Sequence, residues 1–204
     1  MTASFPERMA FPCPEKFCRT TAGDLQGGES FLLDANQGWT PDEAERAMRW
    51  IAPHGPRWIE EPIAVDVPQA AWQVLKAGTG VPIAGGENFL ARRDYEEVVQ
   101  GKWLDVVQPD IAKWGGFTDC LPVARDIVAH GLTYCPHSLG GGIALAASAH
   151  LLAAAGGPGL LECDANENSF RDETFPLDLS HGVVTLPETP GLGVNSAVLD
   201  RAFS

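Results

Sequence analysis

Positive charge is scarce in this sequence. Lys and Arg number 14 against 27 Asp and Glu, the formal net charge is −13, and no Lys/Arg-rich run occurs. Nucleic acid and anionic membrane both require a basic face, so neither is an expected partner. Long apolar runs are also lacking. Each is broken by Gly or Pro, which argues against a membrane span. The opening stretch MTASFPERMAFPCPEK has no apolar core of the signal-peptide kind, so no leader is expected. Cysteine is sparse: the five residues at 13, 18, 120, 135 and 163 are odd in number and form no CxxC pair. That pattern predicts free thiols in a reducing, cytoplasmic setting.

What the chain does have is rhythm. At 204 residues, one domain is the natural expectation, able to bury about 70% of its unfolded surface. Residues 1–29 are poorly patterned, with Pro at 6, 12 and 14, and no strand is expected there. From residue 30 a short apolar run ends in a polar residue and leads into an amphipathic stretch. The pattern occurs six times: SFLLD (Asp34), RWIE (Glu60), VPIAGGE (Glu87), LDVVQPD (Asp110), LTYCPH (His137) and GLLE (Glu162). Between the runs, Thr40-Pro41-Asp42-Glu43 has the hydroxyl, proline and acids of a helix start. Ala44, Ala47, Met48 and Ile51 continue it as a stripe. Helices are predicted over 67–77, 92–101, 117–130 and 142–155, with Gly78, Gly101, Gly131 and Gly156 as stops.

Strict alternation of strand and helix means parallel βα units. The run-end residues are 26, 27, 23, 27 and 25 positions apart, about one unit each. A doubly wound sheet is the structural alternative. A TIM-like (β/α) barrel is favoured because no glycine-rich phosphate loop follows the first run. Polar residues also recur at every strand end, where a barrel gathers them at one mouth. The domain expectation is a segment over 1–29, an incomplete barrel over 30–175 and a return segment over 176–204.

Three consecutive runs end in carboxylates: Asp34, Glu60 and Glu87. Brought together bare, they would repel and raise one another's pKa. A hard divalent cation resolves the conflict, and three carboxylates with water and substrate oxygens suit Mg²⁺. Asp110 and His137 end the next two runs, and an Asp beside a His fixes the imidazole tautomer and raises its basicity. Glu162 ends the sixth and, in a crowded anionic cup, could donate a hydrogen bond to a substrate oxyanion. His54, His130, His150 and His181 are read as structural.

The segments LLDANQGW, WIEEP, GGENF, VVQPDIAKWGG and PHSLGGGIALAASAHLLAA resemble, in order, the strand-end motifs of the enolase superfamily over residues 30–195. The resemblance implies Asp34, Glu60 and Glu87 as Mg²⁺ ligands and Glu61 as a supporting neighbour. It places Asp110 and His137 as the Asp–His pair of the mandelate racemase subgroup, Glu162 against the substrate carboxylate, and Asn36 as a substrate contact. Lys113 is then a scaffold residue. The family's Lys-x-Lys motif, about thirty residues before the first ligand, has no counterpart, and Lys16 stands alone. The family's N-terminal capping domain has no counterpart either, so a member truncated at the N-terminus, holding about strands 3–8, is expected. The function implied is Mg²⁺-dependent α-proton abstraction from a hydroxy-acid or sugar-acid carboxylate, by a dehydratase or a racemase/epimerase. A catalytically inactive barrel fragment is the alternative. An incomplete barrel leaves edges bare at SFLLD and GLLE, so a homo-oligomer is expected.

Overall fold

A computed structural model describes residues 2–4 (as backbone), 25 and 29–204. Lys16, Cys13 and Cys18 lie outside the described residues. The chain forms two compact units, Met1–Gly85 with Gln100–Val106, and Gly86–Val99 with Val107–Ser204.

In the first unit, strands β1 (Thr2–Ser4), β2 (Leu32–Asp34), β3 (Ile59–Glu60) and β4 (Ile83–Gly85) run side by side in that order, all parallel. The register sets Leu33 beside Ile59 and Ile59 beside Ile83, and all three are buried. Asp34 stands level with Glu60. Two expectations are corrected here. A strand does exist before residue 30, and β2 is not an edge, because β1 covers its outer side. Three residues of mixed character carry no period for a sequence reading to detect; their pairing with β2 is what makes them a strand.

Helix α1 (Pro41–Ile51) begins where its signals place it. The Thr40 hydroxyl accepts the Glu43 N–H, and the Glu43 carboxylate accepts the Thr40 N–H at 2.9 Å, a complete capping box. Its buried face is Ala44, Ala47, Met48 and Ile51. Helix α2 (Gln69–Thr79) is offset by two residues from 67–77. Pro68 forms its extended N-cap, and Gly80, at φ 68°, takes the left-handed C-cap with its N–H on the Lys76 carbonyl. Gly78 therefore lies inside the helix, since of two nearby glycines only the one in the left-handed conformation ends it.

The remaining elements are α3 (Arg92–Gly101), β5 (Val106–Val107), α4 (Gly116–Ala129), β6 (Thr133–Tyr134) and α5 (Gly142–Ala155). After them come α6 (Ser169–Thr174), the antiparallel pair β7 (Asp178–Ser180) and β8 (Val183–Thr185), and α7 (Ser196–Phe203). In the second unit the Cys135 N–H donates to the Val107 carbonyl (3.1 Å) and the His137 N–H to the Pro109 carbonyl (3.3 Å). Donor and acceptor advance together, so these segments are parallel. Leu145, Ala146, Ala149 and Phe175 form a core here, with Leu161, Leu177, Leu186, Leu192 and Val194 packed against it.

GLLE, expected as the sixth strand, is irregular chain. The Leu160 N–H donates to the Cys135 thiol sulfur at 3.2 Å, where a strand would find a carbonyl. Gly159 passes so close to β6 that a Cβ there would lie 1.8 Å from the Tyr134 carbonyl oxygen. The edge expected at GLLE falls with the strand.

The fold is α/β, an incomplete barrel of the TIM kind. Six strands, β1 to β6, are present among the described residues, with a helix after each from β2 onward, against eight strands in a complete barrel. No helix among those residues is long and apolar enough to cross a membrane.

Candidate active site

His137 is the centre of the second unit's polar cluster. It lies three residues past β6, 5% exposed, on a segment that the Pro109 carbonyl holds. Side chains alternate along extended chain, so this pairing sets His137 beside Asp110 on one face. His137 Nδ1 lies 2.7 Å from Asp110 Oδ2, and Nε2 lies 2.5 Å from Glu87 Oε2. Both nitrogens face carboxylate oxygens, which only accept, so both donate and the ring is an imidazolium. Burial alone would pull its pKa down. The hydrogen bonds to Asp110 and Glu87 and the charges of Glu87 and Glu162 outweigh that and push it up to about 10.

Local structure fixes each carboxylate. Asp110 opens a turn, and its Oδ1 accepts the N–H groups of Ala112 (2.7 Å) and Lys113 (3.3 Å). Burial raises the Asp110 carboxyl, but His137 and the Ala112 N–H hold it below its ordinary value. Glu87 sits in the loop after β4. Gly86, at φ 123°, lets that loop pass the Gln108 backbone, where a Cβ would come within 3.2 Å of its nitrogen. The buried Tyr95 hydroxyl closes the loop by donating toward the carbonyls of Gly86 (3.0 Å) and Phe89 (3.3 Å). Against the raising effect of burial, His137 and then Lys113 hold the Glu87 carboxyl low. Glu162 is half-buried, and its Oε2 accepts the Ser138 N–H at 2.8 Å.

Lys113, read as a scaffold residue, places its Nζ 3.2 Å from Glu87 Oε1 and belongs to the cluster. Its spacing of three from Asp110, on the turn that Asp110 caps, is the signal that could have found it. The Ser138 amide carries no side-chain signal at all. In the first unit, Asp34 and Glu60 are register partners at neighbouring strand ends. Asn36, the expected substrate contact, turns back on Asp34, its N–H 2.8 Å from Oδ1 and its Nδ2 2.5 Å from Oδ2. Glu61 is buried and accepts from Gln37 Nε2 at 3.1 Å. Among the described residues, no three His, Cys, Asp or Glu side chains are gathered as a ligand set.

A short imidazole–carboxylate chain on parallel βα units is the arrangement that the Asp–His resemblance implies. The family model described as Enolase C-terminal domain-like matches residues 16–198, and the chain belongs to that family. Its likenesses lie in the mandelate racemase branch. A structure of a mandelate racemase/muconate lactonizing enzyme from Bordetella bronchiseptica RB50 is 41% identical, with a TM-score of 0.87 over 97% of this chain and 55% of that one. A racemase from Streptomyces coelicolor A3(2), solved with bound magnesium, is 28% identical, with a TM-score of 0.79 over 91% of this chain and 50% of that one. Among curated relatives, the D-galactarolactone cycloisomerase of Agrobacterium fabrum is 33% identical over 80% of this chain and 46% of its own length. The arabinonate dehydratase of Saccharolobus solfataricus is 30% identical over 79% and 43%. The chain thus spans about half the length of the curated relatives it matches.

Proposed function

We propose that this chain acts as a lyase or isomerase on a sugar-acid or hydroxy-acid carboxylate, with dehydration the reaction its site favours. The observation that carries the reading is His137 held as an imidazolium between Asp110 and Glu87. A protonated imidazole is a general acid. Dehydration of a 2,3-dihydroxy acid passes the C2 proton to solvent water, breaks the C3–O bond and yields an enol that becomes the 2-keto acid. His137 protonates the departing hydroxyl, so that water leaves rather than hydroxide. Asp110 holds the ring through Nδ1, and Nε2, which faces Glu87 in this structure, is the atom that hands over the proton once substrate takes the place of Glu87. Glu162 is the candidate hydrogen-bond partner for the substrate carboxylate.

Magnesium is the proposed cofactor, with Asp34, Glu60 and Glu87 as the residues that would hold it. The donor chemistry fits a hard cation, and Asp34 and Glu60 stand side by side. Glu87 is instead engaged by His137 and Lys113, so the three do not form a ligand set in this structure. When bound, such an ion supplies Lewis-acid stabilisation of an enediolate. The second reading, a catalytically inactive fragment, is favoured by that same engagement of Glu87.

A cytoplasmic setting is consistent with Cys120, Cys135 and Cys163, which form no disulfide. Assembly with further copies of the chain is a proposal that sedimentation would test. The function is tested by incubating the chain with aldonic and aldaric acids and magnesium and measuring 2-keto acid formation. Turnover that falls about 10²–10⁴-fold in His137→Asn supports the dehydratase. Failure with every acid, together with no calorimetric signal on magnesium titration, establishes the inactive fragment.

A further inference from the structure

Arg171 is a buried cation that the chemistry above does not use. It is 7% exposed, and all three guanidinium nitrogens have partners. Nε donates to Asp172 Oδ1 (2.8 Å), Nη1 to Asp164 Oδ2 (3.1 Å) and Nη2 to the Asn166 carbonyl (2.8 Å). The other oxygen of Asp164 accepts the Asn166 N–H (2.9 Å) and Nδ2 (2.7 Å), folding residues 164–166 into a tight turn. Asn168 then caps α6 by accepting the Arg171 N–H at 3.0 Å. Every bend between Glu162 and α6 is therefore tied directly to Arg171 or to a residue it holds.

The far side of Arg171 carries the other half of the Glu162 contact. Gly142, the first residue of α5, lies against it: a Cβ there would be 2.7 Å from the Arg171 carbonyl oxygen and 2.8 Å from Thr174 Cβ. Ser138, whose N–H reaches Glu162 Oε2, is four residues before Gly142. The loop after Glu162 is thus held by the Arg171 guanidinium, and the start of α5 packs closely against the Arg171 backbone.

We propose that Arg171 is a positioning residue that sets the Glu162 carboxylate against the Ser138 amide. The inference rests on the reading of Glu162 as the acid that faces substrate. Its geometry requires arginine. Three donors must reach a carboxylate, a second carboxylate and a carbonyl in one plane, and an ammonium on a flexible stem cannot hold all three.

The experiment is amide hydrogen exchange of the full chain, read by NMR at Ser138 and along α5. The variants are Arg171→Lys, Arg171→Gln, Asp164→Asn, Glu162→Gln and the Glu162→Gln/Arg171→Lys pair. Ser138 should exchange about ten-fold faster or more in Arg171→Lys, the change expected when one hydrogen bond to a charged group is lost. Amides from Leu145 to Leu151 should stay close to their original rates. The pair should exchange no faster at Ser138 than Glu162→Gln alone, because Arg171 acts on that amide only through Glu162. Should Arg171→Gln fail to fold, Arg171→Lys and Asp164→Asn decide the matter. An unchanged Ser138 rate in those two overturns the proposal. So does a rate that rises equally at Ser138 and throughout α5, which would make Arg171 a general prop of the fold. Because no substrate enters the measurement, a chain that turns over no sugar acid but shows the coupled exchange sinks the functional reading and leaves this one standing.

Discussion

Replacing His137 with Asn, in buffer containing a chelator, removes the cation from between two carboxylates. The His137 and Asp110 side chains are each 7% exposed, and that of Glu87 is 14% exposed, so solvent screens the pair little. Breaking a buried ion pair from one side costs about 3–5 kcal/mol, because the charge left behind stays buried. The imidazole gives a second bound: a rise from 6.5 to about 10 is worth at most about 5 kcal/mol of linkage. The two figures agree, and the pH dependence separates them from a packing loss. His137 has a raised folded pKa, so its contribution is fully present below pH 6.5 and is lost as pH rises through about 10. Asp110 and Glu87 have depressed folded pKa values, so their contribution fades in acid. The stability gap between wild type and His137→Asn should therefore be widest near pH 6 and nearly closed at the alkaline end. Urea unfolding of both proteins at intervals from pH 6 to pH 10 measures the gap. A gap that is the same across that range would mean that the ring contributes by packing and not as a cation, and the chemistry drawn from it would fall.

Gly159→Ala must move the Tyr134 backbone or its own, and should lower stability by about 3 kcal/mol, the upper end for overpacking; a urea midpoint within error of wild type would contradict the close approach. Thr40→Ala removes the hydroxyl of the α1 capping box and should cost about 1 kcal/mol by the same measurement. Lys113→Met leaves Glu87 paired with His137. The lysine side chain is 38% exposed, so the loss should stay below about 1 kcal/mol. A larger loss would make Lys113 a structural partner of Glu87 on a par with His137.

The alternation of apolar runs and helical stripes made the βα character readable, because strands and helices write different periods into the chain. Thr40, Pro41 and Glu43 marked the start of α1, since a capping box is closed by neighbours in sequence. That Asp34 stands level with Glu60, and that His137 meets Asp110 and Glu87, was legible for a related reason: parallel units of similar length return a polar residue to each strand end. Local signals decided nothing beyond that reach. Thr2–Ser4 is a strand only because β2 lies beside it. GLLE has the composition of a strand yet is none, its Leu160 N–H bonded to a thiol. Lys113 became part of the site through an ion pair with a residue 26 positions away. The raised pKa of His137 follows from two carboxylates 50 and 27 residues before it in the chain. Periodicity and capping are properties of a segment and its near neighbours, so the sequence by itself determined the βα units and the residue types at their ends. Pairing partners, burial and charge depend on segments distant in the chain, and only the tertiary structure decided which of those residues meet and how they are held.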